Sequence, residues 1–224
     1  MEHNAESESQ ETGMSKGCTD ARGETQASPQ VEDYFTPRTL SQQDHQQIDP
    51  EHNRLYCLAL NNRWPRHELY RQIVPTPPVF VYCSLMLPWV MAKVLGVEVE
   101  QTITYMTSAS LPGFSRATVK YAELPTIVRG TSESQSNPEA NVQGLLVGSL
   151  KEWALKRIEE YSVLENHERD VVEVEVITTG GEKIMVAAHA YVWSGSSTLL
   201  EDRVWDPVEY MKGGEQEPAT PTPN

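Results

Sequence analysis

The chain has 224 residues, 38% of them hydrophobic, with 32 acidic side chains against 18 basic ones and a formal net charge of −14. That balance argues against a nucleic-acid or anionic-membrane partner, since both need basic surface. No apolar run approaches the roughly 18 residues of a membrane span, and the length suits one ordinary domain plus tails.

Residues 1–48 are rich in Glu, Gln, Ser and Thr, with nine acids, three bases and almost no apolar side chain before Val31. Such a segment buries too little surface to offset its ordering entropy, so a disordered acidic tail is expected. Its first residues, Met1-Glu2-His3-Asn4-Ala5-Glu6, are unlike a signal or transit peptide. Cys18, Cys57 and Cys83 show neither metal spacing nor a paired framework. Together these features predict a cytoplasmic chain with reduced thiols and no metal or cofactor.

Asp49-Pro50-Glu51 opens a capped helix whose apolar face is expected at Leu55, Leu58 and Tyr56. A second short helix is expected over His67–Ile73, and Pro65, Pro75, Pro77 and Pro78 punctuate the stretch. Residues 49–77 therefore read as a helical N-terminal extension, too short to own a core.

Val79-Phe80-Val81-Tyr82 is a run of β-branched and aromatic residues without polar alternation, the composition of a strand covered on both faces. It breaks into the small Cys83 and Ser84. Pro88 to Leu95 then reads as a helix, with Pro in its first turn and Gly96 past its end. The unit is strand, tight turn, helix entry. Backbone N–H groups at such a turn point outward together and can hold an anion. The plainer alternative is one more core strand feeding a surface helix.

Val97 to Tyr105 alternates partly and is left as strand or connection. Thr107 to Lys120 reads as strand, Pro112-Gly113 turn, strand, and Leu124 to Val128 as a short extended piece. Residues 131–140 form a polar loop. Val142 to Val147 is a strand with Gly144 inside it, a place for close backbone approach. Ser149 is expected to cap a helix through Tyr161, with Leu150, Ala154, Ile158 and Tyr161 on one stripe. Val171 to Ile177 alternates, placing Val172, Val174 and Val176 on one face. Thr179-Gly180-Gly181-Glu182 signals a hairpin turn to a returning strand over Lys183–Trp193. A short helix over Arg203–Met211 closes a domain spanning 78–211, and 212–224 is a flexible tail. Many short strands with a few helices indicate an α+β domain with a small barrel-like sheet.

Phe80-Val81-Tyr82-Cys83-Ser84-Leu85-Met86-Leu87-Pro88 resembles the Phe-Val-Tyr-Gly-(Ser/Thr)-Leu…Pro signature of the γ-glutamylcyclotransferase-like superfamily, in its plant and fungal avirulence-induced-gene-like branch. Leu111-Pro112-Gly113-Phe114-Ser115-Arg116, Leu124-Pro125-Thr126-Ile127-Val128, Val142-Gln143-Gly144, Ala190-Tyr191-Val192-Trp193 and Trp205-Asp206 resemble later landmarks in the same order. The resemblance implies a γ-glutamylcyclotransferase-like small mixed β-barrel with flanking helices. It also implies a small-molecule substrate cradled by Tyr82, Cys83, Ser84 and Leu85, and release of 5-oxoproline by intramolecular cyclisation of a γ-glutamyl group. That chemistry needs a carboxylate base for the attacking amine. Aligned from the helix, the family's Glu position is Ser162; aligned backward from His167-Glu168-Arg169, it is Val163. Glu165, three residues past Ser162, is the acid left to serve as the base, unless it is a solvated loop glutamate.

Two further outcomes stay open on the same residues. A diverged cyclase or isomerase of specialised metabolism would use the same pocket, and a non-catalytic binding protein would have lost the acid. A nucleophilic Cys83, its pKa lowered at the helix entry and served by His167 or His189, is weighed against a small buried thiol filling a turn.

Overall fold

The structure is a computed structural model, which describes residues 48–74, 76–120, 124–130, 141–162, 166–201 and 205–213. The expected acidic tail, the 131–140 loop, Glu165 and the end of the chain lie outside the described residues.

Asp49 caps helix α1 (Pro50–Asn61), its carboxylate accepting the N–H groups of Glu51 at 2.8 Å and His52 at 3.2 Å. The buried face of α1 is Leu55, Tyr56, Ala59 and Leu60. Leu58 is turned to solvent instead: both i+3 and i+4 from Leu55 fit the helical period, and the surroundings of α1 cover Ala59 and Leu60. Helix α2 (Arg66–Ile73) follows, anchored by Leu69.

Strand β1 (Val79–Val81) leads through a single 3-10 turn (Ser84–Met86) into helix α3 (Pro88–Leu95). Gly96 ends α3 in the left-handed conformation at φ 67°, where a side chain is disfavoured. Val97 to Tyr105, left open from sequence, contains helix α4 (Val99–Thr104). Its central Thr102 is buried and spends its hydroxyl on the Glu98 carbonyl at 3.0 Å, which lets a polar β-branched residue sit inside a helix.

Strand β2 (Met106–Pro112) turns at Gly113 into β3 (Phe114–Val119), then β4 (Leu124–Arg129) and β5 (Asn141–Val147). Helix α5 (Glu152–Ser162) begins later than expected: Ser149 has φ 52° and lies ahead of the helix instead of capping it. The long hairpin β6 (His167–Ile177) and β7 (Lys183–Trp193) pairs residue for residue around the expected Gly-Gly turn, with Ile177 opposite Lys183. Short β8 (Leu200–Glu201) and helix α6 (Pro207–Lys212), capped by Asp206, complete the described elements.

Five strands close into a barrel in the order β1-β5-β2-β6-β7, and β7 returns to β1 as the parallel pair. The turn at Gly113 carries the chain out of the barrel, since β3 pairs with β4 and β8 in a separate three-stranded sheet. This is the α+β architecture with a small mixed barrel and flanking helices that the sequence predicts.

Side chains of β1 divide between two cores, as the period of two requires. Val79 and Val81 pack with Leu60, Met91, Leu145 and Ile158 beneath the helices. Phe80 and Tyr82 pack with Leu111, Leu146, Val174 and Val186 inside the barrel. Gly144 on β5 makes room for this, because a Cβ there would meet the Phe80 ring at 2.6 Å and the Val81 carbonyl.

Candidate functional site at the first strand–helix turn

The turn after β1 is closed by two backbone bonds, Met86 N–H to the Cys83 carbonyl and Leu87 N–H to the Ser84 carbonyl, each 2.9 Å. Both donors come from the far side of the turn. The leading N–H groups of a helical turn are the ones a helix leaves to caps or anions, and here the Leu85 N–H faces the Cys83 sulfur. Cys83 precedes the turn at φ −112° and ψ −157°. That is extended backbone open to any residue, so a glycine is not required here for its conformation. What the cysteine adds is its sulfur, half-buried between the two cores.

Of the four residues expected to form the cradle, two turn their side chains away. Tyr82 enters the barrel, where its hydroxyl donates to the Tyr191 carbonyl at 2.5 Å, and burial raises its pKa far above the usual phenol value. Leu85 is 1% exposed in the core beneath the helices. Their contribution to a ligand is confined to the backbone. Ser84 is the polar side chain of the turn, and its hydroxyl lies 2.9 Å from the Tyr161 phenol.

That contact brings the end of α5 against the turn. Ile158, fully buried, and Ala154 hold the helix on the core, so the last turn of α5 delivers Tyr161 to Ser84. Burial raises the Tyr161 pKa strongly, and the phenol keeps its proton. Ser162, one of the two residues that align with the family's acid, is the last residue of the same helix, and the other, Val163, lies outside the described residues. Glu165 lies outside the described residues.

Arg116 on β3 reaches the same region. Its Nη2 donates to the Gln143 carbonyl at 2.7 Å and lies 4.0 Å from the Met86 sulfur, while the guanidinium sits 5.8 Å over the Trp205 ring. Its Nε is buried and has no hydrogen-bond partner. Burial draws the Arg116 pKa below its ordinary value, against the opposing pull of Tyr56, Cys83, Tyr82 and Asp206. The charge stays in place, since an arginine does not deprotonate in a protein. The Tyr210 ring lies tilted at 53° with its centre 5.9 Å from that of Trp205, forming an aromatic flank.

The thiol of Cys83 runs against the expectation of an activated nucleophile. Burial pushes its pKa up, and the opposing influences of the Leu85 N–H and Arg116 are smaller. Neither proposed base acts on it: His167 bonds Thr126 at 2.9 Å, and His189 sits on β7 opposite Val171. Sequence reasoning quoted Arg116 and Trp205 as landmarks without giving them a site role. It placed Tyr161 only on a packing stripe. The signal available for Arg116 was a cation on a strand whose neighbours, Phe114 and Ala117, are core residues.

Among the described residues no helix is long and apolar enough to cross a membrane. The family model described as "Gamma-glutamyl cyclotransferase, AIG2-like" matches residues 79–208, more than half of the chain. Two Arabidopsis thaliana proteins solved in solution are similar. One is 26% identical over 60% of this chain and 72% of its own, and the other 24% identical over 60% and 79%, each with a TM-score of 0.41. An AIG2-like protein from Mus musculus is 14% identical over 58% of this chain and 88% of its own, with a TM-score of 0.37. Comparison with curated proteins returns no match.

An α+β fold with a closed five-stranded barrel and flanking helices is the class of protein that this geometry defines. Within that class, the chain belongs to the γ-glutamyl cyclotransferase, AIG2-like family.

Proposed function

We propose that the protein is a small-molecule enzyme that closes a γ-glutamyl group on itself and releases 5-oxoproline. The observation that supports it is the meeting of the Cys83–Leu85 turn with the end of α5 through Ser84 and Tyr161, 2.9 Å apart. The turn's N–H groups would take the substrate α-carboxylate, fixing the α-amine near the γ-carbonyl. The amine nitrogen attacks that carbonyl carbon. A new C–N bond forms, the original γ-amide C–N bond breaks, and the departing amine receives the proton that the attacking amine loses. Glu165, three residues past Ser162, is our proposed proton carrier, and Ser84 and Tyr161 orient the substrate. No cofactor is part of this scheme.

A second reading is favoured by one feature: Ser162, without an acid, ends the helix that reaches the turn. On that reading the pocket serves a different cyclisation or isomerisation in specialised metabolism, or binds without turnover. The test is release of 5-oxoproline from a panel of γ-glutamyl peptides and amines. Turnover by the native chain that is lost in Glu165→Gln supports the cyclotransferase; absence of turnover across the panel rejects it and leaves the second reading. A cytoplasmic location is part of the proposal and is checked by fractionation.

A further inference from the structure

We propose that Arg116 is the specificity-determining residue of the turn site, selecting small molecules that carry a carboxylate. The inference rests on the assignment of the turn as the ligand site. Three observations carry it. The guanidinium is largely buried, and its Nε has no hydrogen-bond partner. Among the described residues, its hydrogen bonds go to a backbone carbonyl of Gln143 and to the Met86 sulfur, neither of which neutralises a charge. The acid whose field reaches it, Asp206, uses its carboxylate to accept the Val208 N–H at 2.8 Å as the cap of α6.

A buried cation without a contacting carboxylate is costly to keep in a fold, and an apolar side chain of similar length would serve packing better. Guanidinium also presents a planar fork that matches a carboxylate in two hydrogen bonds. Its position is not remote from the turn: Met86 is the last residue of the 3-10 turn itself, and the charge of Arg116 is felt at Cys83 and Tyr82. On this proposal one anionic group would lie between the turn and Arg116, whose Nη2 is 4.0 Å from the Met86 sulfur and whose guanidinium carbon lies 5.8 Å from the Trp205 ring centre. A neutral amide analogue of the ligand would leave the Arg116 charge unanswered.

The test uses the full chain with glutarate and its neutral isostere glutaramide as probes, at constant ionic strength. Thermal shift and calorimetric titration give the readouts. We expect glutarate, and not glutaramide, to raise the melting temperature of the native chain. Arg116→Met is expected to melt no lower than the native chain and to bind glutarate about 10- to 100-fold more weakly, the range of a hydrogen bond to a charged group. Arg116→Lys keeps the charge without the fork and is expected to recover part of the discrimination, which also decides the matter if the Met variant does not fold. A native chain that treats the two probes alike overturns the proposal, as does an Arg116→Met or Arg116→Lys variant that discriminates as well as the native chain. Discrimination without 5-oxoproline release would retain the role of Arg116 and remove the γ-glutamyl reaction. Release by Arg116→Met at native kcat/KM would do the reverse.

Discussion

Gly144 has no room for a side chain. An added Cβ would meet the Phe80 ring at 2.6 Å and the backbone of Val81 as well, and neither can withdraw without disturbing the strand that leads to the turn. Gly144→Ala should therefore cost about 1–3 kcal/mol of stability by overpacking, read as a lower denaturant midpoint at unchanged slope. Tyr161→Phe removes a single hydroxyl from its bond to Ser84. It should cost roughly 0.5–1.5 kcal/mol and lower turnover more than it raises KM, because the pair is placed to orient and not to grip. His189 gives the pH dependence. Its Nδ1 is buried without a partner, and burial first, then the Arg169 charge, hold its pKa below the ordinary 6.5, with Glu159 opposing. The unfolded chain takes up that proton at higher pH than the folded chain does. Stability from neutral His189 is therefore complete above about 6.5 and is lost as the pH falls through the lower folded value. Urea midpoints at pH 8 and pH 5 should fall further apart for the native chain than for His189→Gln. At this scale the sequence displayed the residue types but not the partners. Cys83 could be located on the turn, yet its inert, raised pKa depends on burial that no local pattern encodes. Arg116 looked like one polar residue on a strand until the fold placed Met86 and Trp205 around it.

The element that positions the site is α5. Its buried face rests on Ala154 and Ile158, and its last turn carries Tyr161 and Ser162 to the first strand–helix turn. Ile158→Ala should cost about 2–5 kcal/mol, measured by chemical denaturation. It should also reduce ligand binding at temperatures where the rest of the barrel stays folded, because loosening the helix withdraws Tyr161. Elements with a strong period were legible in advance: the β6–β7 hairpin follows from alternating Val172, Val174 and Val176 and from a Gly-Gly turn, and α3 from Pro88 and Gly96. Elements governed by their surroundings were not. Helix α4 has the β-branched content of a strand and becomes a helix between α3 and β2, where Thr102 finds the Glu98 carbonyl. Ser149 has the chemistry of a cap but adopts φ 52° before the helix begins. Leu58 shows the same limit, because which leucine faces inward is decided by what α1 packs against.

At the scale of the molecule, barrel closure positions the candidate site. Strand β1 pairs antiparallel with β5 on one side and parallel with β7 on the other, and both faces of Val79–Val81 are buried ahead of the turn at Cys83. An uninterrupted apolar strand was the sequence sign of that double burial, and the family signature around it made the barrel legible. The exchange of sheets at Gly113 was not legible, because a Pro-Gly turn between two strands reads the same whether or not those strands pair. The central claim is that the amides of this turn receive a small carboxylate. Its most direct test is a titration of the isotope-labelled full chain with 5-oxo-L-proline, following backbone amide resonances. The account predicts saturable shifts concentrated at Cys83, Ser84 and Leu85. Saturable binding that leaves those three amides unmoved, or no saturation at all, would contradict it.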